Sequence, residues 1–338
     1  MFNFHKNLNS LVITSFVVFL ALSVMVAVIP AFQLQKTEAL PNMAEPTSEE
    51  LEGLKIYVSE NCMACHTQQV RNIEMDQTWG DRPSIPSDYY YSKMRLSVWQ
   101  QSPSVLGSER TGPDLTNIGK RQPGKDWHLL HLYNPRIVVK ESIMPGYPWM
   151  FEEKSPEDVK QTDEVVSVPK EYLSNPANKV VATKKVMNLV AYLQSLKQTD
   201  MPGMDASSFI PSSKKKETAV ATSGSSGDAV LPDGLKLYSQ VCAACHQADG
   251  KGLAGAFPPL AGSAIVNDEN PETLIRIVLQ GYDARPEYGV MPPFADQLSD
   301  EDIAAITTHE RSSWGNKAKA VTPEEVKKIR EAIVNSNN

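Results

Sequence analysis

Cysteine is scarce. The chain of 338 residues has four, and all four fall in two short units, "CMACH" from Cys62 to His66 and "CAACH" from Cys242 to His246. None is left for a structural disulfide or a free nucleophile. A basic excess is also missing: the formal net charge is −7, which argues against a nucleic-acid partner. The chain offers no acid–base pair or phosphate loop of its own. With 41% hydrophobic and 22% charged residues, wholesale disorder is excluded. Long apolar runs are absent but for one, "LVITSFVVFLALSVMVAVIPAF" from Leu11 to Phe32, which carries no charge. About 22 residues at roughly 1.5 Å each reach about 33 Å, enough to cross a bilayer core. The run is longer than the roughly 7–15 apolar residues of a cleaved signal peptide, and no small-x-small site follows. An uncleaved anchor with a helix over about 10–32 is expected, in a segment 1–46 that includes its connection. Lys6 on the short flank puts the N-terminus in the cytoplasm and the rest of the chain on the other side.

The two cysteine units belong to a longer repeat. "GLKIYVSENCMACH" from Gly53 pairs with "GLKLYSQVCAACH" from Gly234, one residue shorter. In the first copy Thr47 and Glu50 form a capping box, and Leu51, Leu54 and Val58 follow at helical spacing. Each copy also closes with a helix. The first closing helix sets Val186, Leu189, Val190, Leu193 and Leu196 on one stripe. The second starts at Ser299 as N-cap and sets Ile303, Ile306 and Trp314 on an inner face. Two domains are therefore expected, 47–198 and 233–316. They are joined by a Ser-, Gly-, Pro- and Lys-rich flexible linker, 199–232, and followed by a capped helix within 317–338 with Thr322 as N-cap.

Two cysteines spaced x-x can be a zinc half-site, a thiol–disulfide pair or a haem attachment. Neither unit has two further ligands at zinc spacing, and no βαβ pattern surrounds either. The histidine directly after the second cysteine points to haem: in C-x-x-C-H the thiols bond the two vinyl groups and the histidine ligates the iron. Two covalently bound haems c are expected, on Cys62, Cys65 and His66 and on Cys242, Cys245 and His246. A methionine sixth ligand would raise the potential. Met291, in "YGVMPPF", is the one methionine after His246. In the first domain the candidates are Met75, Met94, Met144 and Met150. Met144 precedes a proline as Met291 does, and is favoured; His128 and His131 are the rivals. Pro113 and Pro259 are candidate carbonyl acceptors for the proximal histidines. Arg71, Arg110 and Arg136 are candidates for pairing haem propionates.

The first domain resembles the membrane-anchored monohaem c subunit, subunit II, of cbb3-type cytochrome c oxidases. The likeness is carried by "NCMACHTQQVR" from Asn61, "GSERTGPDLTNIG" from Gly107, "WHLLHLYNPRIVVKESIMPGYPWM" from Trp127 and "LVAYLQSL" from Leu189, in order over roughly residues 1 to 200. The C-terminal region resembles a class I cytochrome c domain, through "CAACH", "FPPLAG", "GVMPPF" and "SSWGN". It has His309 and Glu310 where such domains more often place Tyr and an aliphatic residue.

The resemblance implies a mainly α fold: a single N-terminal transmembrane helix plus two class I cytochrome c-like domains joined by a flexible linker. It implies iron ligation by His66 and Met144, and a bacterial inner-membrane location with periplasmic haem domains. A calcium near the subunit interface is also implied, with no ligand named. The function implied is electron delivery, from a periplasmic cytochrome c or similar donor to a haem–copper catalytic membrane subunit that reduces dioxygen and pumps protons. The chain itself is expected to carry electrons without catalysing the reduction, and its second domain is a candidate replacement for a separate dihaem subunit. An acidic excess in that domain suits a basic donor. The other readings are the cytochrome subunit of a nitric oxide reductase, that of a periplasmic dehydrogenase, and a haem sensor or assembly factor. The aromatic insert Ser87 to Gln101 is expected to pack on a partner subunit or to form a small local core.

Overall fold

The computed structural model describes residues 6–34, 36–91, 105–201, 209–210, 231–285 and 288–336. The apolar run forms one continuous helical rod: α1 (Leu8–Ser23), a π turn (Val24–Val28) and α2 (Ile29–Leu34). Asn7 caps it, its side chain accepting from Ser10 N–H at 3.1 Å. Within Leu8–Gln33 the most apolar 18-residue window has a mean hydropathy of 2.8, and none of that window is buried against the rest of the chain. A helix apolar all round with no protein cover is suited to a lipid surround.

The first domain is built on two crossed helices. Helix α3 (Ser48–Ser59) starts with Thr47 accepting from Glu50 N–H and Glu50 accepting from Thr47 N–H. Two short helices follow, α4 (Ile118–Arg121) and α5 (Lys125–Tyr133). The closing helix, α6 (Lys184–Ser195), buries Val186, Leu189, Val190 and Leu193 on its inner stripe. Helices α3 and α6 meet at Gly53, where a Cβ would stand 2.0 Å from Asn188 O, so only glycine lets the backbones approach this closely.

The second domain repeats the arrangement. Helix α7 (Gly234–Val241) is capped by Asp233 and runs through α8 (Ala243–His246). It crosses the closing helix α10 (Asp300–Ser312) at Gly234, where a Cβ would lie 2.2 Å from Ala305 O. The pairing of Gly53 with Gly234 in the sequence is thus a pairing of helix crossings. Tyr57 and Tyr238, four residues on from each glycine, are both buried. Helix α9 (Glu272–Gln280) completes the core with Leu274, Ile275, Val278 and Leu279. The fold is mainly α, as the sequence implies.

Four features depart from the sequence reading. A three-stranded antiparallel sheet, order β1-β3-β2, is folded into the first domain: β1 (Phe151–Lys154), β2 (Glu164–Val166) and β3 (Lys179–Ala182), with Phe151 opposite Ala182 and Val166 opposite Val180. Part of the expected linker is docked: Phe209 is buried and Ile210 pairs with Ile73, its carbonyl accepting from Glu74 N–H at 2.9 Å. Phe209 is the apolar anchor of that contact, while the Ile210 side chain stays exposed and its backbone makes the pairing. Residues 202–208 and 211–230 lie outside the described residues. Trp314 stands beyond the end of α10 with φ 53°, and its Nε1–H donates to Ala248 O at 3.1 Å, yet its ring still turns inward, 4.9 Å from Tyr238 and 5.4 Å from His309 of that helix. Finally, the C-terminal helix α11 (Pro323–Ser336) is part of the second core. Val326 is buried, and Arg330 donates to Asp300, Ala295 O and Leu298 O. Of the aromatic insert, Ser87 to Tyr91 is described, with Tyr89 OH donating to Gln68 O at 2.9 Å; 92–101 lies outside the described residues.

Candidate haem sites

Each cysteine unit sits at the end of its domain's first helix. In the first, His66 Nδ1 lies 2.8 Å from Pro113 O. A carbonyl only accepts, so Nδ1 carries the hydrogen and Nε2 keeps its lone pair. Burial lowers the His66 pKa, which favours the neutral ring that a metal ligand needs. Gly112 forms the floor: a Cβ there would meet His66 Cε1 at 2.3 Å.

The second unit has the same bond, His246 Nδ1 to a proline carbonyl at 2.9 Å, but the proline is Pro258 and not Pro259. The reason lies in the preceding turn. Leu253 and Phe257 exchange backbone bonds, Leu253 N–H to Phe257 O at 2.9 Å and Phe257 N–H to Leu253 O at 2.8 Å. That bridge turns the next carbonyl, Pro258 O, toward the imidazole. Pro258 and Pro259 both line the crevice, but only the Pro258 carbonyl meets the imidazole. Burial lowers the His246 pKa as well.

Burial pushes the Cys62 and Cys245 thiols up to about 12, and Cys242 well above its ordinary value, so these three are held in the protonated form. Among the described residues, no group of three or more His, Cys, Asp or Glu could hold a metal ion by themselves.

Of the first-domain methionines, Met75 is exposed and Met150 is wholly buried in the core, while Met94 lies outside the described residues. Met144 is half-buried against the same apolar cluster as Cys62 and Met63. His128 is a buried structural histidine, its Nε2 2.8 Å from Gln122 O. His131 stacks on Trp127 with centroids 4.6 Å apart.

Two of the candidate arginines are engaged by buried carboxylates of the protein. Arg110 is committed to the protein: it bonds Asp76 at 2.6 Å, Thr67 Oγ1 at 2.9 Å and Gln69 O, and pairs with Asp114 at 3.6 Å. Arg71 also grips Asp76, at 2.8 Å. Burial pushes the Asp76 carboxyl up, but hydrogen bonds from Arg71 and Arg110 outweigh it and hold the pKa below the usual carboxylate range. Two wholly buried carboxylates, Asp76 and Asp114, demanded these cations, and the spacing of the sequence hid that demand. Arg136 is exposed, in a 3₁₀ turn.

The second crevice is lined by Cys242, Cys245, His246 and Met291, with apolar walls from Phe257, Leu260, Ile265, Val266, Leu274, Val278 and Phe294. Glu310 also lines it, buried, and burial pushes its carboxyl up to about 8. The first domain supplies one wall, through Gln122, Pro123, Gly124 and Trp127. The residues fit a haem c: two protonated thiols, an oriented neutral imidazole, a thioether and an apolar slot. The Gly112 floor leaves the first imidazole unobstructed. Trp127 Nε1–H is buried with no protein acceptor, as expected of a donor that faces a polar group of a bound macrocycle.

Fold and sites together define a c-type cytochrome with an N-terminal apolar helix of membrane-spanning length. The chain belongs to the family described as cytochrome c oxidase, mono-heme subunit/FixO, whose model matches residues 3–176. Residues 229–309 match a second model, cytochrome c oxidase, cbb3-type, subunit III. The protein is therefore an electron-transfer cytochrome c subunit of the cbb3-type oxidase family, fused to a further cytochrome c domain. Cytochrome c-552 of Thermus thermophilus is 44% identical over 112 residues, 29% of this chain and 84% of that protein. The cytochrome c subunit of the quinone alcohol dehydrogenase of Gluconacetobacter polyoxogenes is 38% identical over 112 residues, 31% of this chain and 24% of that protein. The fructose dehydrogenase cytochrome subunit of Gluconobacter japonicus is 33% identical over 154 residues, 42% of this chain and 32% of that protein.

Proposed function

We propose that the chain holds two haems c and passes electrons from a periplasmic donor, through its second and then its first domain, to a haem–copper membrane subunit that reduces dioxygen to water and pumps protons. When bound, each haem supplies a one-electron Fe(III)/Fe(II) couple. The protein's residues do the rest. Cys62 and Cys65, and Cys242 and Cys245, anchor the groups covalently. The carbonyls of Pro113 and Pro258 orient His66 and His246, so that each Nε2 is presented to iron. Met144 and Met291 are the residues that would supply a thioether to each iron alongside the histidines, and the chain would then carry electrons and leave the reduction of dioxygen to the partner subunit. The α1–α2 rod keeps the first domain at the bacterial inner membrane, with the haem domains in the periplasm.

The observation that carries this reading is the duplication itself: cysteine pair, histidine, proline carbonyl and glycine-mediated helix crossing occur twice. Its test is the haem-to-protein ratio of the purified chain by pyridine haemochrome. Two per chain are expected, falling to one in Cys62→Ala/Cys65→Ala and to one in Cys242→Ala/Cys245→Ala. A ratio of one in the unaltered chain overturns it. The dehydrogenase cytochrome subunits among the relatives favour a second reading, in which the chain receives electrons from a periplasmic dehydrogenase. Affinity purification from membranes separates the two: a copper-containing haem subunit supports the oxidase, and a quinone or flavin enzyme supports the alternative.

A further inference from the structure

The loop that carries Met291 offers three consecutive backbone donors. Gly289 N–H donates to Ala256 O at 2.8 Å, and Met291 N–H donates to Tyr282 O at 3.0 Å; both acceptors belong to the second domain. The middle donor is different. Val290 N–H donates to Asp126 Oδ2 at 2.9 Å, and Asp126 belongs to the first turn of α5 in the first domain. The approach is close on both sides of that bond. A Cβ on Gly289 would lie 2.7 Å from Asp126 Oδ2, so the contact depends on a residue without a side chain. Trp127, next to Asp126, lines the second crevice and lies face to face with His131, with 11° between the ring planes. Phe257 of the second domain joins the apolar core of the first, and Cys245 packs against that core.

We propose that Asp126 is a positioning residue for the second haem site: it clamps the Met291 loop across the domain boundary, so that the crevice is complete only when the two domains are docked. The chemistry favours this role. A carboxylate is a strong acceptor for a backbone N–H, and this bond ties an otherwise exposed stretch of the loop to the first domain. Removing the acceptor frees the one amide of the three at 289–291 that the second domain does not hold itself. Met291 is then less firmly held over its site, and a loosened thioether lowers the potential of that centre. The helix that bears the clamp also bears Trp127 and His131, so docking and the wall of the crevice are set by the same turn of chain.

The inference rests on the two-haem reading for its redox consequence, but the clamp itself is testable without any haem signal. In the full chain, the Val290 amide is expected to exchange with deuterium slowly. Exchange should quicken by about tenfold in Asp126→Ala, as one hydrogen bond is lost. Asp126→Asn keeps an oxygen acceptor and should restore most of the protection. Gly289→Val should have the effect of Asp126→Ala while leaving Asp126 in place, which covers the case that Asp126→Ala fails to fold. Redox titration should find the Met291 centre lowered in Asp126→Ala and Gly289→Val, near its original potential in Asp126→Asn, and the other centre unmoved. A Val290 amide that exchanges freely in the unaltered chain, or protection that survives both disruptive variants, overturns the clamp. Protection lost with the potential unchanged overturns the positioning role. A single haem per chain overturns the two-haem reading and leaves the amide result standing.

Discussion

At the scale of the residue, both sites turn on small groups that face a histidine or a crevice. Gly112 is the clearest. Its missing side chain is the space that the His66 ring occupies, since a Cβ would sit 2.3 Å from Cε1. Gly112→Ala is therefore expected to push the ring off line at one site and leave the other intact. On the proposed reading of two methionine-ligated haems, the far-red methionine–iron absorption of the oxidised protein should fall by about half, with the haem count unchanged because the thioether links do not depend on the ring. Full retention of that band would show that the floor can give way. Glu310 is the second case. Burial raises its pKa to about 8 from an ordinary 4.5, so the folded chain holds this proton more tightly than the unfolded chain does. Its effect on stability is smallest below pH 4.5. It grows unfavourable as pH rises through the window to about 8, by a few kcal/mol at most, on the order of 4. Denaturant midpoints measured in the full chain at the two ends of that window should differ, and Glu310→Gln should flatten the difference. An equal pH slope in the variant would sink this account. The unusual acid was legible in the sequence as a departure from the resemblance. Its burial was not, because burial depends on which face of α10 meets the crevice.

At the scale of the element, the crossing of first and last helices in each domain follows from a glycine and an apolar stripe. Both were readable. The copies aligned on Gly53 and Gly234, and the stripe of Val186, Leu189, Val190 and Leu193 is buried as its spacing implies. Gly53→Ala should therefore cost about 1–3 kcal/mol, because Asn188 O and Tyr192 Cβ, at 2.0 and 2.6 Å from the new methyl, must yield. Urea unfolding of the full chain checks this; an unchanged midpoint would mean that the helices separate without penalty. The sheet was not legible, for a physical reason. Its strands are three or four residues long, and they carry Glu152, Glu153, Lys154 and Lys179 among their residues, so no alternation of useful length exists. The same holds for Pro258. Two adjacent prolines look alike in a sequence, and only the Leu253–Phe257 bridge decides which carbonyl turns toward His246. The carboxylate partners of the arginines were hidden for a related reason. A basic residue near a haem motif suggests a propionate partner, but Asp76 and Asp114 are wholly buried and claim Arg71 and Arg110 first.

At the scale of the whole molecule, the charge is unevenly spent. The chain is acidic overall, with a net charge of −7, and the second domain carries exposed acids at Asp268 and Glu269 and an acidic first turn of α10 at Asp300, Glu301 and Asp302. Asp300 is partly neutralised by Arg330, and Asp302 is engaged by the Ser299 cap. Such a surface attracts a basic redox partner from a distance and contributes little to the fold. The range of that attraction is the Debye length, about 30 Å at 0.01 M salt and about 8 Å at 0.15 M. The bimolecular rate of reduction by a basic cytochrome donor should therefore fall by about tenfold or more between those two salts. Reduction by a small neutral reductant should barely change, since it feels no field. Replacing Asp268 and Glu269 with Asn and Gln should shallow the slope for the cytochrome donor and leave the neutral reductant untouched. Stopped-flow reduction of the purified chain measures all of this. If the two reductants respond alike to salt, the acidic face plays no part in docking, and the donor meets the chain on an apolar surface.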